Sequence, residues 1–206
     1  MKIPGGYIVA IEGIDAVGKN THSLLLYKWL RRNGVVTVRM SFPDYDTPIG
    51  KEIKSFLSGR RTYPIELQHL LFAANRWEKL EEIKSRLRAG ETIIANRYTE
   101  SNLAYGRANG LDAVWLANLE KDLPRADLVI VLDAPPRSLS SRREGSSKDV
   151  YEKSSALQGK AQKAYRELAR KHGWTIIDAH GTIGDVQAAV DKTVRKALER
   201  DRETSI

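Results

Sequence analysis

The chain of 206 residues is long enough for one domain of ordinary size with a buried core. It contains no cysteine, which excludes disulfides, thiolate zinc sites and cysteine nucleophiles, and we expect a cytoplasmic protein. A formal net charge of +8 favours an anionic ligand, such as nucleotide phosphates or nucleic acid. No apolar run approaches the roughly 18 residues that a membrane helix needs, so we expect no membrane association.

Short apolar runs alternate along the chain with longer helical patterns. The runs are rich in β-branched residues and nearly continuous, which is typical of strands buried on both faces. The predicted strands cover residues 7–11, 35–40, 92–96, 128–133 and 174–178. The predicted helices cover residues 18–32, 48–57, 64–89, 112–121, 135–143, 153–172 and 183–200. This alternation predicts a single α/β domain, residues 1–206, with a five-stranded parallel sheet and helices on both faces.

The first predicted strand leads into GIDAVGKNT, which is close to the phosphate-loop pattern G-x-x-x-x-G-K followed by Ser or Thr. Because the stretch lies between a strand and a helix, its successive backbone N–H groups can form an anion site at a helix N-terminus. Lys19 brings a point charge to the β- and γ-phosphates. The alternative is a glycine-rich turn with a surface lysine. The predicted ATP-binding residues are Gly13, Ile14, Asp15, Ala16, Val17, Gly18, Lys19, Asn20 and Thr21.

Asn20 stands where the phosphate-loop pattern has the hydroxyl that ligates magnesium. Its amide oxygen is a hard ligand, but it lies one bond further from the backbone than a serine hydroxyl. Asn20 is therefore predicted to be a weak Mg²⁺ ligand, either after a small shift or through a water, and Mg²⁺ is the expected metal cofactor.

Three further segments carry distinctive motifs, namely FPD with IGK in 42–51, LLFAANRWE in 70–78 and NRYTESNLAYG in 96–106. Together with the phosphate loop they resemble the thymidylate (dTMP) kinase family, most closely its eukaryotic and archaeal branches. The likeness runs as far as VYE at 150–152. It implies a P-loop nucleoside monophosphate kinase that transfers the γ-phosphate of Mg·ATP to dTMP, giving dTDP and ADP. It also implies a homodimer, a monophosphate-binding region at about 41–106 and a lid loop at about 140–152.

The resemblance assigns the acceptor nucleotide to residues of these motifs. It implies that Phe72 stacks on thymine, that Arg76 bonds the thymine O4, and that Arg97 holds the phosphate of the monophosphate. A bidentate guanidinium suits that last task, and Arg97 follows a predicted strand, where a parallel sheet binds ligands. The other positions that match the family's nucleoside site are Asp15, Phe42, Pro43, Ser101, Tyr105 and Tyr151.

From spacing alone, Phe72 has a different interpretation. It shares a helix face with Arg76, but it also begins an apolar stripe with Leu80, Ile83 and Leu87. Spacing favours core packing for this ring, whereas the resemblance favours base stacking.

The loop SSRREGSSKDVYE is poor in apolar residues and rich in charge. Arginines that close over the phosphates would compensate charge on the transferring group and exclude water. Arg142, Arg143 and Lys148 are the candidates, and the predicted catalytic residues are Lys19, Asp15, Arg142 and Arg143. The alternative is a solvated charged loop.

Four positions depart from the family pattern. Asn20 replaces the hydroxyl, Asn96 replaces the aspartate of D-R-Y, Tyr45 stands where the family has an arginine for the acceptor phosphate, and Ala16 lacks an arginine that some members carry. These departures weaken the expected metal and acceptor sites.

Three alternative functions remain open, namely a kinase with a shifted acceptor such as dUMP, a nucleotide-binding regulator without useful catalysis, and a nucleic-acid-binding protein. The last is least favoured, because basic and acidic residues are interleaved.

Overall fold

A computed structural model describes residues 6–135 and 149–203 of the chain. Its strands are β1 (Tyr7–Glu12), β2 (Thr37–Ser41), β3 (Thr92–Asn96), β4 (Leu128–Asp133) and β5 (Thr175–Asp178). They form one five-stranded sheet in the order β2-β3-β1-β4-β5, and every pairing is parallel. The predicted α/β fold with a five-stranded parallel sheet is confirmed.

Helices surround this sheet. In the described ranges they are α1 (Lys19–Arg32), α2 (Pro48–Leu57), α3 (Ile65–Trp77), α4 (Leu80–Arg88), α5 (Thr99–Ala108), α6 (Ala113–Asn118), α7 (Val150–Lys153), α8 (Ser155–His172) and α9 (Ile183–Glu203). α1 packs with α9, and α5 packs with α8. Across residues 6–135 and 149–203, no helix combines the length and apolarity required to cross a membrane.

The hydrophobic core lies along the three central strands. Ile8, Val9 and Ile11 of β1, Ile94 of β3 and Ile130 of β4 are each no more than 1% exposed. Both faces of these strands are therefore covered, as their nearly continuous apolar sequences predict.

The prediction of one helix over residues 64–89 is wrong, because the helix is interrupted at Glu78 and Lys79, between α3 and α4. Neither residue is a helix breaker by itself. Lys79 instead forms an ion pair with Asp44 at 2.9 Å, and Glu78 accepts the backbone N–H of Ile49 at 3.1 Å. These tertiary contacts tie the break to the loop that follows β2.

Two helices are absent from the prediction. α5 lacks an apolar stripe, because most of its buried face is polar or small and includes Ser101 and Asn102. α7 is a single turn just before α8. β2 begins two residues later than predicted, and the helix predicted over 135–143 falls almost wholly on residues outside the described ranges.

The parallel register brings the carboxyl ends of three strands to one edge of the sheet. Asn96 at the end of β3 pairs with Ser41 of β2 on one side and with Ile11 of β1 on the other. The residues that follow these strands therefore lie close together, which is the usual place for a ligand in such a fold.

Candidate active site

The phosphate loop joins β1 to α1 in a conformation that suits an anion site. Gly13 and Gly18 have positive φ angles of 129° and 102°, and Gly18 is the N-cap of α1. A β-carbon at Gly13 would lie 2.3 Å from the carbonyl oxygen of Leu132, so only glycine fits there. α1 begins without a side-chain cap and without an acidic residue in its first turn. Its first backbone N–H groups are therefore available to an anion.

Lys19 lies buried at the start of α1. Its Nζ donates to the carbonyl oxygen of Ile14 at 2.6 Å and lies 3.8 Å from the carboxylate of Asp15. A cavity of about 670 Å³, which we call the phosphate-loop cavity, lies beside it. The loop residues that line this cavity are Asp15, Ala16, Gly18, Lys19, Asn20 and Thr21. Ile14 and Val17 are instead buried in the hydrophobic core, where they hold the loop on the sheet.

A second cavity of about 180 Å³, the aromatic cavity, adjoins the first. It brings together the residues predicted for the acceptor nucleotide, which are Phe42, Phe72, Arg76, Arg97, Ser101, Tyr105 and Tyr151. The residues that line both cavities are Asp15, Phe42, Pro43, Tyr45 and Arg97. A ligand in one cavity would therefore meet a ligand in the other at this common wall.

Phe72 lines the aromatic cavity and is only partly buried. Its ring packs edge-on against Phe56 at 5.5 Å and against Tyr151 at 5.9 Å, measured between ring centroids. The break between α3 and α4 separates it from Ile83, which lies in the core. The apolar stripe that spacing suggests for Phe72 is thus interrupted, and the flat face of the ring suits a planar ligand.

Arg76 is a buried cation, 2% exposed, at the wall of the aromatic cavity. Its Nε donates to the carboxylate of Glu120, and Glu120 also accepts from the amide of Asn102 at 3.1 Å. The Nη2 of Arg76 has no hydrogen-bond partner among the described residues. A buried donor without a partner is costly, so this nitrogen is placed to donate to a ligand acceptor.

Arg97 and Asp15 form a partly buried ion pair on the common wall, with 16% and 17% of their side chains exposed. Arg97 follows β3 with a positive φ of 63° and also donates to the hydroxyl of Ser101 at 3.1 Å. Asp15 accepts further bonds from the hydroxyl of Tyr105 at 3.1 Å and from the side-chain amide of Gln158 at 2.8 Å. The Arg97 guanidinium also lies over the Tyr105 ring, 5.2 Å from its centroid.

This arrangement keeps Asp15 ionised. Burial by itself raises the pKa of a carboxyl group, but the nearby charges of Arg97 and Lys19 outweigh it, so the pKa of Asp15 lies well below its usual range. Burial, followed by the charge of Asp15, raises the pKa of Tyr105, so its hydroxyl stays a donor at neutral pH.

Glu12 is a part of the site that sequence reasoning missed. It is fully buried at the end of β1 and accepts from the Tyr98 backbone N–H at 2.6 Å, from the Ser101 hydroxyl at 2.6 Å and from the Tyr165 hydroxyl at 2.8 Å. It thereby fixes the turn that carries Arg97. The only sequence signal was a carboxylate at the end of an otherwise apolar strand.

The predicted lid residues Arg142, Arg143 and Lys148 lie outside the described residues. Tyr151, at the end of the same predicted loop, lies in α7 and lines the aromatic cavity. Its hydroxyl donates to Gln68 at 2.8 Å.

The oxygen ligands near the phosphate loop are mostly neutral. In residues 6–135 and 149–203 no group of three or more acidic, histidine or cysteine side chains could hold a metal. Asn96 lines the phosphate-loop cavity; its Oδ1 is buried without a partner among the described residues, and its Nδ2 lies 3.5 Å from the Ser41 hydroxyl. These hard oxygens fit Mg²⁺, which keeps several waters and takes other ligands from nucleotide phosphates. The Oδ1 of Asn20 accepts from the guanidinium of Arg39, so its contribution to a metal site stays a prediction.

Comparisons with known proteins agree with this geometry. The family described as thymidylate kinase matches residues 11–190 of the chain. A thymidylate kinase of Plasmodium falciparum is 35% identical over 192 residues, which cover 93% of this chain and 90% of that protein. A probable thymidylate kinase of Thermococcus gammatolerans is 38% identical over 204 residues, covering 94% and 98%. The solved structure of the Candida albicans thymidylate kinase superposes with a TM-score of 0.82 at 30% identity and covers 94% of each chain.

One titratable group of the aromatic cavity makes stability depend on pH. His69 is fully buried, its Nδ1 lies 2.6 Å from the Asn102 Oδ1, and its Nε2 lies 3.1 Å from the Asn109 Nδ2. Nδ1 must donate and Nε2 must accept, so this pattern requires the neutral ring. Burial lowers the pKa of His69 from 6.5 to about 4.

We predict that the free energy of unfolding decreases as the pH falls from 6.5 towards 4. In that window the unfolded chain binds a proton at His69 that the folded chain does not, which costs up to about 1.4 kcal/mol per pH unit. Urea unfolding at several pH values measures this slope. His69→Gln should make the slope shallower than in the wild type. An unchanged slope in His69→Gln would contradict the prediction.

Proposed function

Because the chain belongs to the thymidylate kinase family and phosphorylates dTMP, we propose that the aromatic cavity holds dTMP and that the phosphate-loop cavity holds the phosphates of ATP. One observation carries this assignment. The two cavities share a wall that contains Arg97 and Asp15, so a monophosphate in one cavity would lie next to the γ-phosphate in the other.

The acceptor nucleotide uses both ends of the aromatic cavity. The thymine ring stacks on Phe72, and its O4 accepts from the Nη2 of Arg76, which has no partner among the described residues. The 5′-phosphate lies on the guanidinium of Arg97, which binds it through a bidentate pair of hydrogen bonds. Asp15 and Ser101 hold that guanidinium in place, and Tyr105 packs beside the sugar.

Phosphoryl transfer then requires positioning and charge compensation more than acid–base chemistry. An oxygen of the dTMP phosphate attacks the γ-phosphorus of ATP, the bond to the bridging oxygen breaks, and ADP leaves. The attacking oxygen is already anionic, so no base is needed. Lys19 and the N-terminus of α1 stabilise the charge on the donor phosphates.

Mg²⁺ would be held chiefly by the phosphates of ATP and by waters, with the amide oxygen of Asn96 and the hydroxyl of Ser41 as neutral neighbours. When bound, it compensates charge on the donor phosphates. Asn20 is expected to add little to this coordination, which leaves the metal site looser than one with a hydroxyl and an aspartate. The cytoplasmic location stays a prediction.

The relatives named thymidylate kinase do not favour a shifted acceptor or a regulator without catalysis. A coupled assay of ADP release with dTMP, dUMP, dCMP and dGMP tests the assignment. We expect dTMP to be the preferred acceptor, and a higher kcat/KM with dUMP, dCMP or dGMP would contradict it.

Arg76→Ala should lower kcat/KM for dTMP. The substitution leaves the thymine O4 without a donor in a largely dry cavity, which costs about 1–3 kcal/mol, or about 5- to 150-fold. Because Arg76 also neutralises the buried Glu120, Arg76→Ala is compared with the double variant Arg76→Ala/Glu120→Gln, which removes the uncompensated charge. Arg88→Ala, at an exposed position on α4, is the matched control and should leave kcat/KM unchanged.

The lid prediction concerns arginines outside the described residues. Ala16 lines the phosphate-loop cavity but cannot compensate charge on the transferring phosphoryl group, so a cation must come from elsewhere. We propose that Arg142 or Arg143 supplies it, a role that can be worth about 10³–10⁵ in turnover. Arg142→Ala and Arg143→Ala are measured separately at saturating ATP and dTMP, with Arg60→Ala as control. The idea is abandoned if neither variant lowers turnover tenfold.

We also propose a homodimer that forms through α3. Its outer face carries three apolar side chains, Leu67, Leu70 and Trp77, which are exposed by 38%, 42% and 36% and lie along one side of the helix. Sedimentation equilibrium should give twice the mass of the chain. Leu70→Glu should shift the mass towards the monomer, whereas Val114→Glu, at an exposed apolar residue of α6, should not. A wild-type monomer at micromolar concentration would contradict the proposal.

A further inference from the structure

A guanidinium without a carboxylate partner lies beside the phosphate-binding end of α1. Arg39 belongs to the edge strand β2, and its Nε donates to the hydroxyl of Ser23 at 3.0 Å. One of its terminal nitrogens donates to the Oδ1 of Asn20. Among the ion pairs of residues 6–135 and 149–203, Arg39 takes part in none.

This is an unfavourable place for a cation unless an anion binds nearby. The N-terminus of a helix carries a partial positive charge, and Lys19 adds a full one. Asp15 pairs with Lys19 at 3.8 Å, but the first turn of α1 contains no acidic residue to offset the helix terminus beside Arg39. Burial lowers the pKa of Arg39, which reflects the cost of keeping this guanidinium partly away from water.

The contact with Arg39 fixes the orientation of the Asn20 amide. A guanidinium has only donors, so the atom of Asn20 that faces it must be the oxygen. The Nδ2 group then lies on the other branch of the amide, and it has no hydrogen-bond partner among the described residues. Asn20 also lines the phosphate-loop cavity. The Nδ2 group of Asn20 is thus available as a hydrogen-bond donor to the phosphates, whereas the serine or threonine usual at this position provides an oxygen ligand for magnesium.

We propose that Arg39 is a positioning residue that holds Asn20 with its amide N–H₂ directed to the donor phosphates. The pair supplies part of the charge compensation that a hydroxyl-bound metal would supply. The inference rests on the proposed function in that ATP is the ligand of this cavity. Its consequence is that the protein binds ATP with little dependence on Mg²⁺.

ATP binding without acceptor, measured by calorimetry in EDTA and again in excess Mg²⁺, tests this directly. We expect wild-type affinity in EDTA to lie within about tenfold of that with Mg²⁺. Asn20→Asp keeps the oxygen that faces Arg39 but replaces the N–H₂ donor with an anionic oxygen, so it should weaken metal-free binding at least about tenfold. A direct metal ligand at this position would instead make Asn20→Asp bind Mg²⁺·ATP more tightly than the wild type.

Arg39→Ala should also weaken ATP binding in EDTA about tenfold. Because the two residues act together, the double variant Arg39→Ala/Asn20→Ala should bind ATP less than about twofold more weakly than either single variant. Arg32→Ala removes the same charge at the exposed end of α1 and is the matched control, with an expected change below about twofold. Binding of dTMP, which uses the aromatic cavity, confirms that each variant is folded. If Arg39→Ala does not fold, the exposed position of Asn20 lets Asn20→Asp decide alone.

The inference is overturned if the wild type binds ATP only with Mg²⁺, or if Asn20→Asp or Arg39→Ala binds ATP in EDTA as tightly as the wild type. Those outcomes leave the proposed function intact. Failure to bind ATP under either condition would overturn both. Asn20→Ser adds an independent readout, since it should lower the Mg²⁺ concentration that gives half-maximal turnover, and an unchanged titration would also contradict the inference.

Discussion

The partly buried ion pair between Asp15 and Arg97 is the interaction on which the site depends. It joins the phosphate loop to the end of β3, and it forms the wall that the two cavities share. An ion pair withdrawn from water stabilises only if its remaining hydrogen-bonding groups are satisfied. Here Tyr105, Gln158 and Ser101 satisfy them, so the pair holds the phosphate loop against the end of β3.

A second layer of buried polar groups keeps that wall in place. Glu12 is fully buried, yet it is bonded to Ser101, Tyr165 and the backbone N–H of Tyr98. At the wall of the aromatic cavity, Glu120 accepts hydrogen bonds from Arg76 and Asn102 in the same way. In both cases a carboxylate far from solvent accepts from several donors, which holds the turn that carries Arg97 and the guanidinium of Arg76 in place.

Two of the four departures from the family pattern replace oxygens expected near the metal, whereas the other two, Tyr45 and Ala16, stand where arginines are expected. Asn20 and Asn96 place neutral amides where a hydroxyl and an acid would otherwise surround a metal, and Arg39 adds a cation beside the first of them. Under the proposal above, the region depends less on metal ligands supplied by the protein and more on the donors of Asn20 and Arg39. Fixed donors need no metal to bind phosphate, but they cannot bridge two phosphates as a divalent ion does.

The sequence by itself determined the fold class, four of the five strands to within one residue, and the phosphate loop, because buried parallel strands and glycine-rich turns leave strong local patterns. It also named the residues that line the aromatic cavity, but it did so through resemblance, since spacing alone assigned Phe72 to the core. Only the tertiary structure decided where α3 ends, because Glu78 and Lys79 are held by the distant Ile49 and Asp44. It likewise decided that α5 is a helix with a polar buried face and that Arg39 reaches Asn20. Contacts between distant segments leave no periodic pattern along the chain, so they exist only once the sheet has brought those segments together.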